Sequence, residues 1–212
     1  MKPFLVLLVL VCFLAAAGCI GSPPGSSPSA PIVIASEGEP GWIPYTNTET
    51  GFTLHKPAEW DIMSVTKTTL ADKTTMDLSR AMDRFVFVCS PDTTGCIMVY
   101  GLAYEPDAIP ASPIPDDRYR AFIIGAGSAQ FTGIDMTITR VEEDMRYYLI
   151  NGNPARHATF VVTVAGKEQA ADCYLIAGPS HYYAAWYAAR PGSSDAEVKT
   201  ASMIMQTLAA AA

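Results

Sequence analysis

The sequence predicts an α/β (α+β) domain, a three-layer α/β/α sandwich around a central antiparallel meander sheet. Three observations predict it. From residue 133 onward, apolar segments with strand character follow one another across short turns rich in Gly, Asn and Pro. Consecutive strands joined so tightly pair antiparallel. The last of them, Tyr182 to Ala189, is apolar or aromatic on both faces, so it needs cover on both sides. Two amphipathic helical segments with recognisable caps supply that cover.

The chain opens with Lys2, an apolar run from Phe4 through Leu14, and then Ala16-Ala17-Gly18-Cys19. The run suits a signal peptide and is short for a bilayer span. Small residues leading into a cysteine form a lipobox, because that sulfur receives a diacylglyceryl group. Residues 1–18 are therefore expected to be a lipoprotein signal peptide. Cys19 is the expected lipid-attachment site, with acyl chains of the palmitate type. Two or more chains hold a protein stably on a membrane. Residues 19–41, which include Gly21-Ser22-Pro23-Pro24-Gly25-Ser26-Ser27-Pro28, read as a mobile tether. Residues 42–212 form the expected globular domain, long enough for one sizeable core.

Two strands are expected at Phe85–Cys89 and Cys96–Tyr100, joined by the turn-type stretch Ser90-Pro91-Asp92-Thr93-Thr94-Gly95. Cys89 and Cys96 would face each other across that loop, and a disulfide is expected where the compartment permits it. Cys173 reads as a buried thiol behaving as a small hydrophobe. A weaker helix is predicted over Asp72–Asp83. The first clear helix starts at Asp116 or Asp117, after Pro115, and presents Tyr119, Phe122, Ile123 and Ala126. The second starts at Ser194 with Glu197 three residues on, a capping box, and presents Val198, Ala201, Ile204, Met205 and Leu208. Between the helices lie strands at Gly133–Arg140, Arg146–Ile150, Ala155–Val164, Ala170–Ile176 and Tyr182–Ala189. The acidic run Glu142-Glu143-Asp144 is read as a solvated turn. Asn151-Gly152 makes a hairpin turn, since both residues tolerate positive φ.

The stretch Tyr45-Thr46-Asn47-Thr48-Glu49-Thr50-Gly51-Phe52-Thr53-Leu54-His55-Lys56-Pro57-Ala58-Glu59-Trp60 resembles the opening of PsbP-like domains. Gly51 makes the turn, Phe52 and Leu54 point inward, Pro57 ends the strand and Trp60 caps the domain. Asn151-Gly152-Asn153-Pro154-Ala155, Tyr182-Tyr183 and the closing helix extend the resemblance over about residues 42–208. Lys56 departs from it, because an aromatic residue is common at that place. The family's namesake is an extrinsic subunit of photosystem II, and similar domains occur on lipoproteins outside photosynthesis, including those of methanogenic archaea. The resemblance implies the sandwich fold and an accessory or binding role. No photosynthetic contact is carried over.

Charge and motifs narrow the function. The formal charge is −7, and losing Lys2 with the leader deepens it by one. Nucleic-acid binding wants a basic face, so no nucleic-acid partner is expected. Anionic headgroups would repel such a domain, which suits one held off the membrane by a tether. Gly125-Ala126-Gly127-Ser128-Ala129 fits neither a nucleophile elbow nor a phosphate loop. It reads instead as a helix end. His55, His157 and His181 show no metal-ligand spacing, and only folding could bring two together. No catalytic residue, cofactor or metal is therefore expected. The chain reads as a non-enzymatic lipoprotein on the extracytoplasmic face of the cell membrane, held there by Cys19 and binding a protein partner. The alternative is a small-ligand or metal-binding lipoprotein serving a transporter, with Tyr147, Tyr148, Tyr182, Tyr183 and Trp186 lining a pocket. Core packing explains those five aromatics more simply.

Overall fold

The computed structural model describes residues 30–71, 78–92, 95–103, 114–127, 136–164, 166–189 and 192–210. The expected signal peptide, Cys19 and the Gly/Ser/Pro stretch up to residue 29 lie outside them. The folded unit spans Pro31–Ala212. Its elements run β1 (Ile32–Ile34), β2 (Ile43–Asn47), β3 (Phe52–Lys56), β4 (Asp61–Thr66), α1 (Lys67–Ala71), β5 (Ala81–Cys89) and β6 (Gly95–Ala103), then α2 (Asp116–Gly127), β7 (Met136–Ile150), β8 (Asn153–Val164), β9 (Lys167–Ala177), β10 (His181–Ala189), α3 (Asp195–Gln206) and β11 (Ala209–Ala210).

Eight strands form one sheet in the order β1-β7-β8-β9-β10-β6-β5-β4. The expected meander is β7 to β10, and β4-β5-β6 is a second meander joined to it where β6 pairs with β10. Strand β1 alone runs parallel to its neighbour, opposite Tyr148–Ile150 of β7. A second sheet, β11-β3-β2, was not foreseen. The Phe52 and Leu54 side chains of β3 are buried, as their alternation predicts, and Gly51 turns the β2–β3 hairpin at a φ of 69°.

The strand β10 explains the architecture. Tyr183, Ala185, Tyr187 and Ala189 enter one core with Phe52, Leu54, Trp60, Ile204 and Leu208. Tyr182 and Ala184 enter the other with Tyr119, Ile123, Phe160 and Leu175, while Trp186 and Ala188 pack against it. The first core thus gathers α3 and residues of the small sheet. The second gathers residues of α2.

Four expectations change. Residues 32–34, placed in the tether, pair with β7 instead, because Ile32 and Ile34 find apolar surface on the first core. Glu142-Glu143-Asp144 is not a turn. Strand β7 runs through it, with Glu142, Glu143 and Asp144 opposite Thr159, Ala158 and His157. Breaking the strand there would leave the backbone of β8 short of partners. Register shifts between Ile138 and Arg140 and between Asp144 and Tyr148 absorb the irregular alternation. The weak helix over Asp72–Asp83 gives way to strand at Ala81–Asp83, where pairing to β6 outweighs local propensity. Its residues 72–77 lie outside the described residues. Finally, one face of the large sheet packs on a small sheet as well as a helix, because β3 has its own apolar alternation to bury.

Candidate functional site

Among the described residues, a cleft of about 510 Å³ has walls from three places in the sequence: Glu39–Trp42, Pro57–Trp60 and the outer face of α3. Its size lies within the usual range for ligand sites, roughly 300–1,000 Å³.

Each wall has a local cause. In the first, the Trp42 amide donates to Glu39 O at 3.1 Å, closing a turn. The indole lies over Gly38, where any Cβ would collide with the ring, and Gly38 has a φ of 83°. In the second, Trp60 N donates to Pro57 O at 3.2 Å. Beneath that turn, the buried Lys56 ammonium donates to Pro57 O at 3.2 Å and to Trp60 O. A lysine stem supplies apolar bulk, and its head satisfies two carbonyls that an aromatic ring there could not. The departure from the PsbP-like pattern thus has a local structural role. In the third, Ala196, Lys199, Thr200 and Met203 follow helical spacing and face the cleft. Ala201, Ile204 and Met205 are the buried residues of α3. Ser194 caps this helix as predicted, accepting from Glu197 N at 3.2 Å, while the Glu197 carboxylate accepts from Ser90 Oγ at 2.8 Å.

The lining combines the partly buried indole of Trp42 and the buried one of Trp60, two carboxylates (Glu39 and Glu59), one ammonium (Lys199), a thioether and two proline rings. Such a surface mixes polar and apolar groups. Sequence reading missed it. The one available signal was the 196/199/200/203 stripe on the side of α3 away from the predicted core.

The singled-out residues do not converge. Of the five aromatics proposed for a pocket, Tyr148 and Tyr183 enter the first core and Tyr182 the second, with Trp186 packed against it, and none of the five lines the cleft. Tyr147 lies against the fully buried Arg156 guanidinium, 4.6 Å from its ring centre, with Tyr119 on that group at 4.4 Å. Arg156 also donates to Asp116 Oδ1 at 2.7 Å, and this contact holds the Asp116 carboxyl below its ordinary range. His157 meets Asp172 Oδ1 at 3.2 Å and stacks on Tyr174 at 4.6 Å. His55 sits in β3, where its backbone amide donates to Thr207 Oγ1.

His181 comes nearest to a catalytic arrangement. Its Nδ1 lies 2.8 Å from Ser180 Oγ and its Nε2 2.8 Å from the Thr50 carbonyl oxygen. A carbonyl thus takes the place where a triad has an acid, so the arrangement lacks the orienting carboxylate of that template. Desolvation lowers the His181 pKa. Cys89 and Cys96 form the expected disulfide. Cys173 is a free, buried thiol whose pKa burial pushes well above its ordinary value. That favours the thiol over the thiolate a nucleophile needs. Gly125–Gly127 end α2 as expected, while Ser128 and Ala129 lie outside the described residues. Among the described residues, no group of three or more His, Cys, Asp or Glu is placed to hold a metal ion. No helix among them is long and apolar enough to cross a membrane.

No protein-family profile and no curated protein matches the chain. Solved structures do. The solution structure of PsbP from the cyanobacterium Synechocystis sp. PCC 6803 superposes with a TM-score of 0.50 at 12% identity, over 91% of this chain and 99% of that one. A crystal structure from Bacteroides thetaiotaomicron VPI-5482 reaches 0.44 at 11% identity, over 80% of this chain and 48% of that one. Protein PA94 from Pseudomonas aeruginosa, of unknown function, reaches 0.38 at 13% identity, over 79% and 96%. The chain is thus a mixed α+β protein, mostly sheet, whose fold is similar to that of cyanobacterial PsbP.

Proposed function

We propose that this chain is a membrane-anchored extracytoplasmic lipoprotein whose PsbP-like domain binds a partner protein without performing chemistry. The Ala16-Ala17-Gly18-Cys19 lipobox and the Gly/Ser/Pro spacer support the anchoring. The two cores on opposite faces of the large sheet support reading the domain as a layered α/β/α sandwich. The observation that carries the binding role is the cleft between Trp42 and α3, which combines aromatic, carboxylate and ammonium groups at the surface. Its volume also suits a small ligand, which is the second reading.

Site-specific photo-cross-linking in native membranes tests the role. A cross-linker in place of Trp42 is expected to capture one discrete protein, and one in place of the exposed Val33 is not. No adduct from position 42, or the same adducts from both positions, would count against the cleft as the binding surface.

A further inference from the structure

The first wall of the cleft belongs to an edge segment whose apolar residues Ile32, Ile34 and Trp42 are only partly buried against the first core. Strand β1 pairs with β7 through three residues, in parallel, at the sheet edge. Val33 is 68% exposed, and Ile32 and Ile34 are only partly buried. Short, exposed edge pairings open at lower free energy than the core.

Beyond the pairing with β7 and the packing of Ile32, Ile34 and Trp42 on the first core, one side chain bonds the segment to two distant elements at once. Asn151 sits at the hairpin turn between β7 and β8 with a φ of 48°. Its backbone amide donates to Ile34 O at 2.8 Å. Its Oδ1 accepts from Ser36 N at 2.9 Å. Its Nδ2 lies within reach of Gln206 O at 3.3 Å and Leu208 O at 3.4 Å, at the end of α3. Ser36 passes the hold onward, its Oγ accepting from Gly38 N at 3.1 Å, and Gly38 is the residue under Trp42. One amide therefore ties the wall carrying Trp42 to the helix that forms the facing wall.

We propose that residues 32–42 are a strap, latched by the Asn151 side chain, whose release opens the Trp42 cleft. The chain that precedes β1 leads directly into the strap, so a pull on it loads β1 before the rest of the sheet. By linkage, whatever binds the closed cleft also strengthens the docking of β1. The consequence for partner binding rests on the role proposed above. The latch does not, and the measurement below needs no partner.

Hydrogen exchange on the full chain tests it. Asn151→Gly keeps a residue at ease with positive φ and removes only the clasp. Backbone amides of residues 35–42 are expected to exchange about two- to tenfold faster in this variant, as for the loss of one good hydrogen bond. Amides of β9 and β10 are expected to keep their wild-type rates. Ser36→Pro, which removes both the donor to Asn151 Oδ1 and the Oγ that accepts from Gly38 N, is expected to reproduce the effect at residues 37–42. Unchanged exchange over 37–42 in both variants would overturn the latch, and so would an equal acceleration throughout the sheet.

Discussion

Two buried polar side chains show how single residues set the terms of stability. The buried Arg156 guanidinium is surrounded by Asp116, Ile114 O and two tyrosine faces. His181 follows the opposite rule. It is 8% exposed, and its hydrogen-bond partners Ser180 Oγ and Thr50 O carry no charge to balance an imidazolium. Desolvation therefore lowers its pKa below the ordinary 6.5, against the smaller opposing effect of the bond to Thr50 O. An unfolded chain takes up this proton near 6.5, while the folded chain resists it to lower pH. Between those limits the unfolded state holds more protons, so stability rises with pH. The contribution is complete above about pH 7, is lost as pH falls below 6.5, and levels off beneath the folded-state pKa. His181→Gln preserves a donor toward Thr50 O and cannot titrate. Urea midpoints at pH 8 and pH 5 are expected to differ less in this variant than in the parent. An identical difference in both would show that the imidazole carries none of the pH dependence.

At the scale of elements, the hairpin of β5 and β6 is the most tightly specified. Cys89 and Cys96 stand opposite each other in register and are bridged. Ser90 N donates to Gly95 O at 3.1 Å inside the loop, and Ser90 Oγ reaches Glu197 in the first turn of α3. The bridge closes a short loop, so the chain-entropy model gives it a modest contribution of about 2–3 kcal/mol. Replacing both cysteines by serine is expected to lower the unfolding free energy by about that much while leaving the far-ultraviolet circular dichroism unchanged. A loss near zero would mean that strand pairing alone organises the loop in the unfolded chain. The element next to the cleft behaves differently. Helix α3 uses one stripe for the core and another for the cleft wall, so its sequence serves two surfaces at once.

At the scale of the whole molecule, the proposed placement depends on one sulfur. Intact mass measurement of the native protein is expected to show a chain beginning at Cys19 with a diacylglyceryl adduct. Cys19→Ser is expected to move the protein from the membrane fraction to the soluble one, because the remaining acidic domain has no lipid to hold it. A wild-type mass with the leader retained, or a free thiol at Cys19, would remove the lipid anchor.

The amino-acid order by itself determined the local features, because those depend on residues close together in the chain. The meander of β7 to β10, the Asn151-Gly152 turn, the Ser194 cap, the paired Cys89 and Cys96, and the two-sided apolar strand β10 were all legible in short windows. Tertiary structure decided what depends on distant partners. Whether Ile32–Ile34 is tether or strand depends on apolar surface more than a hundred residues away. Whether Glu142–Asp144 turns or continues depends on the backbone needs of β8. The cleft was illegible for the same reason: its walls come from residues 39–42, 57–60 and 196–203, and only packing on a shared core brings them together. Asn151 belongs to both accounts. Its sequence announces a turn, but its side chain becomes a latch only once the fold brings Ser36 and the end of α3 to it.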